Sequence, residues 1–186
     1  MIEAPLRSES SEERVAKYLA DSIVDYDPTI RDSGQVNICV LAGVQCYGQS
    51  PQDVDIVVLI SDRRPSSFMS TSGIELRNCC IAMELKNHDE KSVRFEGPHC
   101  YVQYSGEWHN VSVQSRGQIF SLRNYLADNS RINPPFIVNL IWLRQLPSTV
   151  LPASSNNLLA RDSTWQQFID KIVDLQGDVV SSREVR

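Results

Sequence analysis

Three charged residues lie within two apolar runs of the sequence, at a spacing that could do chemistry. Asp55 lies inside the run VDIVVLI, and Glu84 and Lys86 end the run CCIAMELK. A carboxylate in a buried strand is costly unless it is paired or binds a cation. Side chains alternate along a strand, so Glu84 and Lys86 share one face while Leu85 points to the other. If the two runs form neighbouring strands, the three charged side chains converge.

Such a group could carry out metal-assisted hydrolysis of a phosphodiester. Asp55 and Glu84 offer hard oxygen ligands, and the backbone carbonyl of Leu85 could add another. This set suits Mg²⁺ or Mn²⁺ better than a softer metal. Lys86 could orient the attacking water or stabilise negative charge on a phosphorane-like transition state. The alternative is that both acids face solvent at strand ends and that Lys86 is an ordinary strand-end lysine.

The pattern of apolar residues along the chain predicts the elements that must position this group. A capping-box pattern at Ser10 and Glu13 opens a first helix, which runs to about Val24. Strands are predicted at 37–43, 54–60, 79–85 and 136–143, a hairpin within 93–104, helices at 114–128 and 163–177, and loops at 61–73 and 145–162. The order α-β-β-β-(hairpin)-α-β-α predicts a mixed α/β sandwich around one central sheet.

Two further residues are candidates for supporting roles at the site. Glu12 lies at the same angle around the first helix as Val15 and Leu19, so it projects onto the buried face. It is either a third acid of the site or a first-turn acid that complements the helix dipole. Gln114 either contacts the site or its substrate, or merely starts its helix.

Five motifs occur in a fixed order over about residues 10–145. They are the helix pattern E-x-x-V-x-x-x-L from Glu12, the strand QDVDIVV, the strand IAMELKN, the sequence GEW at 106–108, and the glutamine-headed helix from Gln114. In order and spacing they resemble the NERD (nuclease-related) domain of the PD-(D/E)XK nuclease superfamily. Each motif is degenerate by itself, so the resemblance rests on their combination.

The resemblance implies a fold, an activity and a setting. The fold would be a restriction-endonuclease-like α-β-β-β-α-β core, with a central mixed sheet flanked by helices. The activity would be Mg²⁺-dependent cleavage of DNA, with Asp55, Glu84 and Lys86 as catalytic residues and Glu12 and Gln114 in support. Such modules are commonly joined to ATPase, helicase or kinase domains. DNA processing or antiviral defence against foreign DNA is the setting that the resemblance suggests.

Composition sets broader bounds on the chain of 186 residues. With 41% hydrophobic and 22% charged residues it has the values of a globular protein, predicted as one domain over 1–177. Residues 178–186 would form a tail that could lead to a further domain. The net charge of −5 argues against a protein that binds nucleic acid through a basic surface all over, although segment 63–131 is locally positive. Without a secretory leader or a long apolar run, a cytoplasmic protein with no membrane partner is expected.

Two other classes of function stay open at this stage. One is a catalytically inactive nuclease-like domain that binds DNA or a protein, although such a domain has no need of a metal site. The other is a structural or dimerisation domain, in which the helix with Trp165 and the strand at 136–143 face a second subunit. A homo-oligomer is also compatible with the nuclease prediction.

Overall fold

The computed structural model describes residues 10–129, 134–153 and 155–184, with the side chains of the last helix described to residue 177. The helices of this part of the chain are α1 (Ser11–Tyr26), α2 (Ile30–Ser33), α3 (Val111–Asn129) and α4 (Trp165–Glu184). The strands are β1 (Val36–Gln45), β2 (Asp53–Asp62), β3 (Phe68–Met69), β4 (Glu75–Leu76), β5 (Asn78–Lys86), β6 (Val93–Glu96), β7 (His99–Tyr104), β8 (Glu107–Asn110), β9 (Ile137–Leu143) and β10 (Leu158–Ala160).

The central sheet has five strands in the order β1-β2-β5-β9-β10. The β1–β2 and β2–β5 pairs are antiparallel, whereas β5–β9 and β9–β10 are parallel. The chain therefore has a mixed α/β fold with a central mixed sheet flanked by helices, as predicted. The strands β2, β5 and β9 read as near-continuous apolar runs because helices cover both of their faces.

The two faces of the sheet are covered by different helices. On one face, Leu19 and Ile23 of α1 and Ile169 and Ile172 of α4 lie in one core cluster with Ile81 of β5. On the other face, α3 covers a smaller cluster of buried residues, which includes Val57, Cys80, Ala82, Leu122 and Ile137. Side chains alternate along β5, so Glu84 and Lys86 lie on the α3 face with Cys80 and Ala82.

A second sheet, of strands β6, β7 and β8, packs beside the end of β9. Val93 and Val102 on its inner face contact Ile141 and Leu143 in a cluster of buried residues. The predicted hairpin is therefore confirmed and extended by β8. Its position brings the end of β7, at Tyr104, to the end of β5.

Three predictions about elements were wrong. The segment 145–162 was expected to be a loop, but its residues Leu158–Ala160 form the edge strand β10. The two-residue strands β3 and β4 pair across the expected loop at 61–73. Gly177 does not end the last helix, because α4 continues to Glu184. A glycine ends a helix when it adopts a positive φ, and Gly177 does not.

The surfaces proposed for dimerisation are used within the chain. Strand β9 lies between β5 and β10, so it has no free edge. Phe168 and Ile172 of α4 are buried in the core, and Trp165 stacks on Phe168 with ring centroids 4.5 Å apart. No helix in the described residues has the length and apolar character to cross a membrane.

Helix α1 depends on its N-terminal cap, which gives a first prediction. The Ser10 hydroxyl accepts a hydrogen bond from the Glu13 N–H at 3.1 Å, and Glu13 accepts one from the Ser10 N–H at 2.7 Å. We expect Ser10→Ala to lower the free energy of unfolding by about 1 kcal/mol, measured by urea denaturation. Ser11→Ala is the control, because its hydroxyl donates only to the Glu12 side chain. An equal loss in both variants would contradict the capping role.

Candidate active site

The two predicted acids meet where strands β2 and β5 separate. The pairing of these strands ends at Ile56 opposite Met83, one residue before Asp55 and Glu84 would face each other. Beyond this point Asp55 Oδ2 accepts a hydrogen bond from the Leu85 N–H at 2.7 Å, in place of a strand partner. The prediction that the two runs are neighbouring strands is therefore confirmed, and both acids lie on the α3 face.

Glu84 is almost completely buried, with a relative exposure of 1%, and both of its oxygens have partners. Lys86 forms an ion pair with Oε1, and Gln114 Nε2 donates to the same oxygen at 2.8 Å. Gln118 Nε2 donates to Oε2. The Glu84 carboxylate is thus held by one cation and two amides, in line with the rule that a buried charge must be paired and hydrogen-bonded.

Lys86 is 6% exposed and is a cation at neutral pH. Burial opposes its charge, but the charge and the hydrogen bond of Glu84, together with the Tyr104 hydroxyl, raise the pKa of Lys86 above its usual value. Its Nζ lies 3.5 Å from Gln114 Oε1 and 5.4 Å from the centre of the Tyr104 ring. A lysine of raised pKa stabilises negative charge and is a poor general base.

The pKa of Asp55 lies well above its usual value. Burial, and then the negative charge of Glu84, raise the pKa of Asp55 to about 6, against the opposing effects of the Leu85 N–H and of Lys86. A carboxyl group near a second negative charge keeps its proton to a higher pH. Titratable groups shifted by burial and a like charge are a feature of functional sites, although structural networks also produce them.

The two supporting residues are placed differently. Gln114 joins the site directly, because it donates to Glu84 and accepts from Lys86. Glu12 lies half-buried in the first turn of α1, where its own backbone N–H and the hydroxyls of Ser11 and Ser10 lower its pKa. Its charge nevertheless contributes to the raised pKa of Asp55, so it lies near the acid pair as well as at the helix terminus.

Sequence reasoning missed two residues of this group. Gln118 is 2% exposed, and besides Glu84 its amide contacts the Asp53 carbonyl at 3.0 Å. It lies four residues after Gln114 and therefore on the same helix face, which was the available signal. Tyr104 approaches Lys86 only because the second sheet packs beside β5, and no local pattern in the sequence indicates that contact.

The fit of a divalent cation depends on the acid pair. Asp55, Glu84 and the Leu85 carbonyl would hold it, and such an ion would offset the burial and the repulsion by Glu84 that raise the pKa of Asp55. The Asp55 Oδ1 accepts no hydrogen bond within the described part of the chain, and Gln118 Oε1 is a buried acceptor without a partner there. In residues 10–129, 134–153 and 155–184, no group of three or more His, Cys, Asp or Glu is placed to hold a metal ion. The oxygen donors suit Mg²⁺ or Mn²⁺, with water completing the coordination.

Comparison of the chain with protein-family models, with curated proteins and with solved structures finds no match. The resemblance to NERD domains therefore stays a prediction. It depends on the motifs and on the arrangement that they adopt here.

Proposed function

We propose that this chain is a metal-dependent nuclease module of the PD-(D/E)XK type that hydrolyses DNA phosphodiester bonds. The observation that carries the proposal is the convergence of Asp55, Glu84 and Lys86 at the point where β2 and β5 separate. The order of the helices and of the central strands supports a restriction-endonuclease-like core. DNA processing or defence against foreign DNA, with an associated ATPase, helicase or kinase domain, is the proposed setting.

The residues of the site would have distinct roles in this reaction. A divalent ion held by Asp55, Glu84 and the Leu85 carbonyl would stabilise the charge that develops on the scissile phosphate. Asp55, with a pKa of about 6, is mostly ionised at pH 7 and above, so it can serve as a ligand there. The Lys86 ammonium stabilises negative charge on the pentacoordinate phosphorus. Gln114 fixes the positions of the Glu84 and Lys86 side chains relative to each other, since it forms hydrogen bonds with both.

One observation favours an inactive DNA-binding relative as the second candidate. Both oxygens of Glu84 are already engaged by protein donors, namely Lys86, Gln114 and Gln118. A carboxylate satisfied in this way has less need of a metal ion. For the nuclease, Gln114 and Lys86 would have to share the Glu84 oxygens with the ion.

Plasmid nicking distinguishes the two candidates. We expect the protein to convert supercoiled plasmid to the nicked form with Mg²⁺ or Mn²⁺, and to lose this activity in EDTA. Calorimetric titration with Mn²⁺ tests ion binding in parallel. Plasmid binding without nicking, together with no heat of Mn²⁺ binding, would overturn the nuclease and favour the inactive relative.

A further inference from the structure

The exposed side chain of Tyr104 lies over the buried ammonium group of Lys86 in the candidate active site. Its ring lies 5.4 Å from Lys86 Nζ, measured to the ring centre. Tyr104 is 41% exposed, whereas Lys86 is 6% exposed. The ring therefore contacts Lys86 on its protein side, and its solvent-accessible part is available to a ligand.

Two histidines from different segments hold this ring in place. His88, just after β5, meets it edge-on with ring centroids 4.6 Å apart and planes at 89°. His109, in β8, lies 5.3 Å from it at 68°. Edge-to-face contacts of this kind are favourable for aromatic rings. A ring fixed before binding loses less conformational entropy when a ligand stacks on it.

Tyr101 and Trp108 are two other aromatic residues of the second sheet, and their surroundings differ from those of Tyr104. Arg94 lies over Trp108, at 4.4 Å from the ring centre, and over Tyr101 at 5.1 Å. Those rings are therefore covered by a side chain of their own sheet. Tyr104 combines an exposed ring with direct contact to the residues of the candidate active site.

We propose that Tyr104, held by His88 and His109, is the binding site for an unpaired nucleobase, and that the substrate is DNA with an unpaired base, as in a single strand or in an opened segment of a supercoiled plasmid. An aromatic ring binds any base by stacking on its face, and a base within a duplex already stacks on its neighbours. A base stacked on Tyr104 would bring its strand next to the candidate active site, because Lys86 lies against the other side of the ring. The proposal rests on the proposed nuclease function for its setting, but the binding itself can be measured without cleavage.

The test measures binding of a fluorescently labelled oligothymidylate by anisotropy, in EDTA so that nothing is cleaved. We expect Tyr104→Ala to weaken binding by about 5- to 100-fold, the range for loss of one base–aromatic stack. Tyr104→Phe keeps the ring and should stay within about threefold of the wild type. Tyr104→Leu keeps the apolar bulk without the ring and should behave like the alanine variant. The matched control is Tyr47→Ala, because Tyr47 is 69% exposed elsewhere on the chain.

The outcomes separate this proposal from the nuclease proposal. Binding that depends on Tyr104 in a protein that nicks no DNA would support the base site and overturn the nuclease. Metal-dependent cleavage that is unchanged in Tyr104→Ala would support the nuclease and overturn the base site. The base site is also overturned if the wild type does not bind the oligothymidylate, if Tyr104→Leu binds as well as the wild type, or if a duplex of equal length competes equally.

Discussion

Replacing Glu84 by glutamine is expected to abolish metal-dependent nicking and to lower the free energy of unfolding at the same time. Glu84 is buried and carries the counter-charge of Lys86. Removing one partner of a buried ion pair typically costs about 3–5 kcal/mol, because the other charge stays in the protein interior. We expect a loss near the lower end of that range, since Asp55 remains as a second negative charge close to Lys86.

The loss of activity should be at least about 100-fold in plasmid nicking, which corresponds to about 3 kcal/mol of transition-state stabilisation. Lower activity alone would not prove a catalytic role, because the variant is also less stable. The double variant Glu84→Gln/Lys86→Met separates the two effects. Replacing both charges of a buried pair is often close to neutral for stability, so the double variant should unfold near the wild-type urea concentration.

The predicted pattern is therefore recovery of stability without recovery of activity. Glu75→Gln is the matched control, since Glu75 pairs with Arg77 at the surface, where an ion pair contributes about 0–1 kcal/mol. If the double variant nicks plasmid as well as the wild type, the pair is structural and the proposed mechanism is wrong. If Glu84→Gln is as stable as the wild type, the account of Lys86 as a dependent buried charge is wrong.

The sequence predicted the central sheet well because burial on both faces leaves a clear signal. The runs that became β2, β5 and β9 are nearly all apolar, and the capping box placed the start of α1 at its observed position. The face shared by Glu84 and Lys86 followed from alternation alone. The small elements β3, β4 and β10 could not be found, because two or three residues contain no periodicity.

The rest of the site depends on contacts between residues that lie far apart in the sequence. Gln118 is a polar residue on the buried face of α3, where its amide donates to the Glu84 carboxylate. Tyr104 belongs to a separate sheet whose position against β5 is set by the cluster around Val102 and Leu143. Asp55, Glu84 and Lys86 could therefore be predicted from the strands that carry them, and Gln114 was a candidate from its helix, whereas Gln118 and Tyr104 were missed.

Asp55→Asn should make the metal-free protein more stable at pH 8 while it abolishes nicking. The pKa of Asp55 is about 6 in the folded protein and 3.8 in the reference state. The folded state therefore binds more protons between these values, and the Asp55 contribution to stability decreases as the pH rises through that window. Asparagine carries no charge and can still accept the Leu85 N–H, so the variant avoids this penalty, which is as much as about 3 kcal/mol.

The measurement is urea denaturation in EDTA at pH 4.5 and pH 8, with Asp53→Asn as the control. Asp53 is an exposed acid two residues earlier on the same strand, so its replacement should change neither stability nor nicking. The stability advantage of Asp55→Asn should grow from pH 4.5 to pH 8, because the wild-type penalty develops as Asp55 ionises. Wild-type nicking should decline below about pH 6, because Asp55 then becomes protonated and is no longer a charged ligand for the metal ion.

Adding Mg²⁺ at pH 8 should reverse the order of the two proteins. An ion that binds only the folded state stabilises it, and it would do so in the wild type through Asp55 and Glu84 but much less in Asp55→Asn. Thermal unfolding with and without Mg²⁺ measures this directly, with no dependence on cleavage. A wild type that Mg²⁺ does not stabilise, and that without Mg²⁺ is more stable than Asp55→Asn at pH 8, would mean that Asp55 is an ordinary paired acid. A buried acid, repelled by a second carboxylate, that lowers the stability of the fold until a cation binds is the behaviour expected of a ligand in a metal-dependent active site.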